Sequence, residues 1–347
     1  MSSEQFDYVV VGAGSAGCAV ANGLSESGRH SVLLLEAGPE SRRNPFVNTP
    51  LGFLQLMFSR RFNWQFNTEP QRHMYDRALF QPRGKMVGGS SGMNAQVYIR
   101  GHASDYDEWA RLGCNGWSYS EVLPYFRRSE HFEPKLASAD VAFHGQGGPL
   151  NVAERRYTNP LSVVFLDAAI QAGYQRNADF NGSEQEGVGF YYAYQKNGVR
   201  CSNARAYLEP AAGRSNLTVR SDAQVTRVLL EGTLATGVEY RSAKGLVQVC
   251  ARREVVLCGG AFNSPQLLML SGIGPLEELA QHGIKLRHAL EGVGQNLQDH
   301  IDVFVRVKAR SRQSISMHPS YWLTGLRALL QYMSRRCGVL SSNGAEA

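Results

Sequence analysis

The sequence lacks the features that mark several protein classes. No apolar run approaches the roughly 18 residues of a membrane-spanning helix, and the N-terminus passes directly into a predicted strand, so we expect neither an integral membrane span nor a signal peptide. The six cysteines have no CxxC spacing and several lie in apolar runs, which predicts reduced thiols and no metal site. The HExxH motif is missing, which argues against metalloproteases. We therefore expect a cytoplasmic protein.

The net charge of the chain is also small. The 36 Lys and Arg residues exceed the 30 Asp and Glu residues, for a net charge of +6. Basic residues occur in short pairs such as Arg155-Arg156, without the long basic run of a nucleic-acid-binding tail, so we expect no nucleic-acid partner. With 347 residues, 43% of them hydrophobic, the chain can form two domains or one large one.

The first informative stretch has the pattern of a nucleotide-binding βαβ unit. The β-branched run 7–11 predicts a strand, Gly12, Gly14 and Gly17 follow at GxGxxG spacing, and residues 16–24 repeat at helical spacing. In such a turn the first glycine permits the bend, the second lets a pyrophosphate approach the backbone, and the third allows close helix packing. The helix N-terminus then offers N–H groups to phosphates.

A second apolar run, residues 31–35, ends at Glu36, about 20 residues after the glycines. Its carboxylate can accept hydrogen bonds from ribose hydroxyls and would repel a 2′-phosphate, which favours FAD or NAD over NADP. A lone GxGxxG motif can occur by chance. The predicted strand before it, the predicted helix after it and the acidic residue at the end of the next strand together argue against chance here. The dinucleotide-binding residues predicted here are Gly12, Gly14, Ser15, Ala16, Gly17, Glu36 and Ala37.

Residues 82–109 form a second glycine-rich stretch. Several glycines, with Ser90 and Ser91, crowd into residues 84–92, which is incompatible with an ordinary helix or strand. We expect this backbone to pass close to a diphosphate or a flat ring, and a helix to follow from Asn94. A flexible surface linker is the alternative from composition, although the apolar residues Met86 and Val87 lie within the stretch.

These residues resemble the first signature of the glucose-methanol-choline (GMC) oxidoreductases. The matching positions are Gly84-Lys85, Val87, Gly88-Gly89-Ser90-Ser91, Met93-Asn94, Tyr98, Gly101 and Asp107. Residues 260–274 are similar to the second signature of the same family, with Ser264-Pro265 and residues 271–274, SGIG. The resemblance extends over essentially the whole chain and is strongest to bacterial choline and aliphatic alcohol dehydrogenases.

The resemblance implies an α/β fold: an FAD/NAD(P)-binding, Rossmann-like domain with a parallel sheet and an antiparallel β-meander within residues 216–258, plus the start of an α+β substrate domain. It implies a discontinuous FAD domain, residues 1–155 and 210–305, and a partial substrate domain, residues 156–209 and 306–347. Within the second domain, helical spacing follows Asn159-Pro160 up to Gly173, and a further helix is predicted from Trp322 to Met333.

The resemblance also implies the cofactor, FAD, and further residues that bind it: Val87, Gly89, Asn94, Ala95, Gln96, Val97 and Val225. Plain core packing is the alternative for Val87 and Val225. Some members of the family attach FAD to a histidine just before the signature asparagine, and here that position is Met93. Because a thioether cannot take that role, we expect non-covalent FAD.

The implied reaction is oxidation of a small-molecule alcohol, CH–OH, to an aldehyde or ketone by hydride transfer to the flavin, with a base that removes the hydroxyl proton. The implied electron acceptor is a quinone or another acceptor and not oxygen, which is compatible with peripheral attachment at the inner membrane. The catalytic histidine of the family is expected downstream of Ala347, so we predict no catalytic residue here and interpret the chain as part of a longer enzyme. For His300 a structural role is the expectation.

Two other functions stay open. The family includes hydroxynitrile lyases, which hold FAD without redox turnover, and a fragment that lacks half of the substrate domain can bind FAD without any activity. An NAD-dependent dehydrogenase would share the first βαβ unit but would not explain residues 84–107 or 260–274.

Overall fold

The computed structural model describes residues 4–134, 139–300, 303, 305–307 and 322–347. In these ranges the chain alternates strands with helices, as an α/β protein does. The α-helices are α1 (Ser15–Glu26), α2 (Pro45–Asn48), α3 (Phe53–Leu56), α4 (Ala103–Arg111), α5 (Tyr119–Ser129), α6 (Pro160–Gln171), α7 (Gly260–Leu270), α8 (Leu276–Gln281) and α9 (Trp322–Arg335).

Within the described residues the main sheet has six strands, and five two-stranded ribbons are present besides it. The strands are β1 (Glu4–Val11), β2 (Val32–Leu35), β3 (Phe66–Asn67), β4 (Phe80–Gln81), β5 (Val97–Tyr98), β6 (Glu130–Phe132), β7 (Leu150–Val152), β8 (Tyr192–Ala193), β9 (Gln195–Lys196), β10 (Val199–Arg200), β11 (Leu217–Arg220), β12 (Gln224–Glu231), β13 (Leu234–Ser242), β14 (Gly245–Leu257), β15 (Ile273–Gly274) and β16 (His288–Ala289). The main sheet has the order β11-β2-β1-β14-β13-β12.

Strand β14 joins the parallel and antiparallel parts of this sheet. Its first half pairs antiparallel with β13, with Ser242 opposite Gly245, and its second half pairs parallel with β1, with Val11 opposite Leu257. Strand β11 pairs parallel with β2, so it belongs to the parallel part and the meander consists of β12, β13 and β14. One strand of 13 residues therefore places the meander beside the first βαβ unit.

The core lies on both faces of the parallel strands. Val9 and Val11 of β1 pack with the meander residues Val238 and Tyr240, whereas Val10 packs under α1. All four residues of β2 are buried, alternating between the same two faces. A strand buried on both faces requires a continuous apolar run, which is the pattern of residues 31–35 in the sequence.

The described chain divides into two compact units. The first unit comprises Met1–Arg43, Leu56–Met93 and Asn203–Val307, and it contains the main sheet. The second comprises Asn44–Gln55, Asn94–Ser202 and Lys308–Ala347. These bounds differ from the predicted domains, since residues 94–155 group with the second unit. The functional assignment of the two domains stays a prediction.

Most predicted elements near the motifs are confirmed. Helix α1 covers the predicted residues 16–24, and α6 begins at Pro160 with the Asn159 side chain capping the N–H of Leu161 at 2.9 Å. The helix predicted from Asn94 is wrong. Residues 94–96 are irregular, Gln96 has a left-handed φ of 58°, and a short strand, β5, follows. The next helix, α4, begins only at Ala103.

Candidate cofactor site

A cavity of about 560 Å³ opens in the first unit where the parallel strands end. The last residues of β1, β2 and β14, which are Val11, Leu35 and Leu257, all line it. Open α/β sheets bind ligands at this carboxyl edge, and ligand cavities commonly span about 300–1,000 Å³. Eight of the predicted cofactor-binding residues line the cavity: Gly12, Gly14, Ser15, Ala16, Glu36, Ala37, Gly89 and Val225.

The N-terminus of α1 faces this cavity without a side-chain cap. Gly14 is the N-cap residue, no side chain accepts from the first turn, and the first turn carries no acidic residue. Gly14, Ser15 and Ala16 all line the cavity. Because the first N–H groups of a helix have no partner within the helix and carry partial positive charge, this end of α1 can bind an anionic group such as a diphosphate.

The conformation and packing of the turn require glycine at positions 12 and 17. Gly12 has φ of 97°, which a side chain rarely adopts, and a Cβ there would lie 2.7 Å from the carbonyl oxygen of Cys258. A Cβ on Gly17 would lie 1.9 Å from the carbonyl oxygen of Gly12. Gly17 is buried in α1 and is not among the residues that line the cavity. Both glycines are required by backbone packing.

The Glu36 carboxylate is held by backbone N–H groups at the edge of the cavity. Its Oε2 accepts from Ala13 N and its Oε1 from Gly38 N, both at 2.9 Å. Burial raises the pKa of Glu36 to about 7, against the lowering effect of these hydrogen bonds and of Lys85. Since a carboxylate has about four acceptor positions, Glu36 retains capacity to accept from a hydroxyl in the cavity.

An aromatic and cationic wall of the same cavity was not predicted from the sequence. Trp64, Phe66, Arg83 and Phe262 line it. The Trp64 and Phe66 rings stack at 5.7 Å between centroids, Phe66 meets Phe262 edge-on at 5.5 Å, and the Arg83 guanidinium lies 4.7 Å from the Phe262 centroid. Phe66 lies in β3, Phe262 lies in the N-terminal part of α7, and Trp64 precedes β3 by two residues. The only sequence signal was an alternating aromatic pair, Trp64 and Phe66, which no motif singled out.

The other predicted residues lie elsewhere. Val87 is fully buried in the core under α1, and its carbonyl accepts from Ser41 Oγ. Asn94, Ala95, Gln96 and Val97 belong to the second unit and are not among the residues that line this cavity. In that unit Asn94 accepts hydrogen bonds from the buried Arg200. The cofactor contacts of these five residues stay predictions.

The second unit contains a buried ionisable cluster that no motif indicated. Glu130 accepts from Arg100 Nη2 at 3.0 Å, and His144 bridges Glu130 and Asp179 at 3.1 and 2.8 Å. Burial lowers the pKa of His144, but its hydrogen bonds to Asp179 and Glu130 outweigh burial and raise the pKa overall. Paired and enclosed in this way, the cluster is a structural network. His300, by contrast, is exposed.

Three further observations concern the described residues only. They contain no group of three or more His, Cys, Asp and Glu side chains arranged to hold a metal ion. None of their helices has the length and apolar character needed to cross a membrane. All six cysteines lie in the described ranges and none forms a disulfide; Cys18 and Cys201 are buried and Cys114 is exposed.

Comparison with known proteins identifies relatives along nearly the whole chain. Residues 6–302 match the family described as GMC oxidoreductase. An alcohol dehydrogenase [acceptor] of Pseudomonas putida is 45% identical over 344 residues, covering 99% of this chain and 62% of the relative. The human mitochondrial choline dehydrogenase is 45% identical over 311 residues, covering 88% of this chain and 52% of the relative.

A solved structure supports the same assignment. The FAD-dependent oxidoreductase from Chaetomium thermophilum superposes with a TM-score of 0.84 at 29% identity, over 97% of this chain and 60% of that one. The chain thus spans only about half to three-fifths of the length of its relatives.

Proposed function

Because this chain belongs to the GMC oxidoreductase family, we propose that it carries the cofactor-binding region of an FAD-dependent enzyme that oxidises an alcohol, CH–OH, to an aldehyde or ketone. The observation that carries the proposal is the cavity at the strand ends, where an uncapped helix N-terminus and a buried carboxylate lie together. The helix N-terminus can bind a phosphate and the carboxylate can bind a ribose, both in one cavity.

The residues of the cavity fit a dinucleotide. A Cβ on Gly14 would meet only the carbonyl oxygen of Cys258, at 3.9 Å, so the backbone at this position is open on the side where a ligand would lie. The Glu36 carboxylate is fixed by Ala13 N and Gly38 N rather than by a basic side chain, which leaves its remaining acceptor positions for hydroxyl groups. These two features match the diphosphate and the ribose of FAD.

Each group in the cavity then has a part in binding. The N–H groups at Gly14, Ser15 and Ala16 would bind the diphosphate, and Glu36 would accept from ribose hydroxyls and repel a 2′-phosphate. Ala37 and Val225 supply apolar surface at the same end. The motif match supports further contacts toward the flavin from Val87, Gly89 and residues 94–97.

When bound, FAD supplies the hydride acceptor for alcohol oxidation. We assign no base to the described residues, and the proposed base is a histidine downstream of Ala347. Met93, at 4% exposure, stands at the position of the histidine that some family members use for attachment, so non-covalent FAD is part of the proposal. A small alcohol or choline as substrate is proposed from the names of the relatives. A quinone or another electron acceptor is proposed from the family resemblance alone.

The test is the visible absorption spectrum of the purified chain titrated with FAD, followed by an excess of a primary alcohol or choline without oxygen. We expect flavin bands that shift on binding and that persist after the alcohol is added, since the proposed base lies downstream. Failure to bind FAD would overturn the proposal. Bleaching by the alcohol would support the redox function, exclude a lyase-like protein, and overturn the downstream base by showing that a residue of this chain acts instead.

A further inference from the structure

Arg200 is a fully buried arginine whose guanidinium donates to three backbone carbonyls of the second unit. Its Nε donates to the carbonyl of Val47 at 3.0 Å and its Nη2 to that of Pro50 at 3.1 Å. Its Nη1 donates both to the carbonyl of Asn94 at 2.7 Å and to the Asn94 Oδ1 at 3.1 Å. The arginine therefore binds the backbone and the side chain of the same asparagine.

Tyr194 contacts the same asparagine from the neighbouring strand segment. Its hydroxyl donates to Asn94 Oδ1, its N–H donates to the carbonyl of Gln96, and its carbonyl accepts from Cys201 N. Burial raises the pKa of the Tyr194 phenol, so its hydroxyl keeps its proton at neutral pH and remains a donor. Residues 194–201 thus bring two donors to one amide oxygen.

These contacts determine which way the Asn94 carboxamide points. Its Oδ1 accepts from Arg200 and Tyr194, and also from Gln96 N at 3.2 Å. A guanidinium and a backbone N–H can only donate, so a flipped amide would place its NH2 group against donors. The Nδ2 group consequently points away from Arg200. Asn94 is exposed, and among the described residues its Nδ2 has no hydrogen-bond partner.

We propose that Arg200 and Tyr194 are positioning residues, which hold the Asn94 carboxamide so that its N–H groups donate to an acceptor atom of a bound ligand. The inference rests on the proposed function, under which the ligand is FAD and the acceptor is a carbonyl oxygen or ring nitrogen of its flavin. Asn94 then has two separable parts: its oxygen serves the fold and its nitrogen serves the ligand.

The first experiment separates these two parts of Asn94. Asn94→Asp keeps an acceptor for Arg200 and Tyr194 but has no N–H donor, whereas Asn94→Ala has neither. We expect the thermal midpoint of the cofactor-free Asp variant to equal or exceed that of the wild type, and that of the Ala variant to fall. Both variants should bind FAD about tenfold more weakly in a titration followed by flavin fluorescence.

The second experiment tests whether Tyr194 acts through Asn94. Tyr194→Phe removes one hydroxyl, and Tyr332→Phe is its matched control, because Tyr332 is a buried tyrosine of the same unit that donates to the carbonyl of Gly198 at 3.1 Å. We expect FAD affinity to fall several-fold in Tyr194→Phe and to stay unchanged in Tyr332→Phe. In the Asn94→Ala background, Tyr194→Phe should cause no further loss.

The possible outcomes distinguish a failure of the proposed function from a failure of this inference. A wild-type chain that fails to bind FAD would overturn the proposed function and this inference with it. A wild-type chain that binds FAD, together with an Asn94→Asp variant of equal affinity, would overturn the inference alone. Independent, additive effects of Asn94→Ala and Tyr194→Phe would likewise overturn the positioning role.

Discussion

Gly89 and Gly14 meet backbone to backbone, such that a Cβ on Gly89 would lie 2.7 Å from the Cα of Gly14. The neighbouring Gly88 N donates to the carbonyl of Ala13 at 2.6 Å. The two glycine-rich stretches, about 75 residues apart in the sequence, therefore form one continuous backbone surface at the edge of the cavity. No residue with a side chain at position 89 would allow this approach.

Gly89→Ala should therefore weaken both stability and cofactor binding. Gly232→Ala is the matched control, because Gly232 also has a left-handed φ, 60° against 51° for Gly89, but has nothing within 4 Å of the added Cβ. We expect the control to lose about 1 kcal/mol of unfolding free energy from backbone strain, and Gly89→Ala to lose a further ~1–3 kcal/mol and at least about tenfold in FAD affinity. Urea unfolding and FAD titration measure the two effects. Equal losses in both variants would contradict close packing at Gly89.

Glu36 should make the stability of the cofactor-free protein depend on pH. Burial raises its pKa from 4.5 to about 7, so between these values the folded state binds the proton and the unfolded state does not. Unfolding free energy therefore falls as pH rises from about 4.5 to 7 and is level above that range. Relative to Glu36→Gln, which cannot titrate, the wild type should lose up to roughly 3 kcal/mol between pH 4.5 and 8 in urea unfolding.

The control for this measurement is Glu231→Gln, at an exposed position at the end of β12. Its unfolding free energy should follow that of the wild type at both pH values. A difference between wild type and Glu36→Gln that does not change with pH would show that Glu36 is ionised in the folded protein throughout this range.

Met93 should leave the cofactor dissociable. A thioether forms no stable bond to a flavin, and Met93 is buried. The family resemblance implies a flavin-attaching histidine at this position in some members only. After acid precipitation of the FAD-loaded chain, we expect all flavin absorbance in the supernatant and a colourless pellet. The same chain precipitated before FAD is added supplies the blank. A pellet that keeps its flavin after washing in denaturant would show a covalent bond to another residue.

His144 should stabilise the second unit more at low pH than at high pH. Its pKa is raised overall by Asp179 and Glu130, so its contribution is full below the ordinary value of 6.5 and is lost as pH rises through the raised value. The stability difference between wild type and His144→Gln should therefore shrink from pH 6 to pH 9 in urea unfolding. His282→Gln, at a histidine whose side chain is 65% exposed, is the control and should show little change. A difference that grows with pH would contradict a charged His144.

Local patterns in the sequence predicted most of the first βαβ unit and part of the site. The spacing of Gly12, Gly14 and Gly17, with apolar runs on either side, indicated β1, α1 and β2, because each element repeats its apolar residues with its own period. Glu36 was predictable for the same reason, since it follows directly after a buried strand. Eight of the predicted residues line one cavity.

Contacts between residues distant in the sequence could not be predicted from such local patterns. The helix predicted from Asn94 was wrong because Arg200, Tyr194 and Gln96 fix an irregular backbone there, and two of these partners lie about a hundred residues away. Nothing local in the sequence marks Trp64, Phe66 and Phe262 as one wall, or Arg100, Glu130 and His144 as one cluster.

The sequence by itself determined that a GxGxxG turn and an acidic strand end form a dinucleotide-binding unit, and that two signatures mark the GMC family. Those features depend on backbone conformation and spacing within a few residues, which the local sequence controls. The tertiary structure alone decided that Gly89 packs on Gly14, that β14 joins the meander to the parallel sheet, and that Arg200 orients Asn94. These relationships depend on burial and hydrogen bonding between segments that meet only in the folded chain.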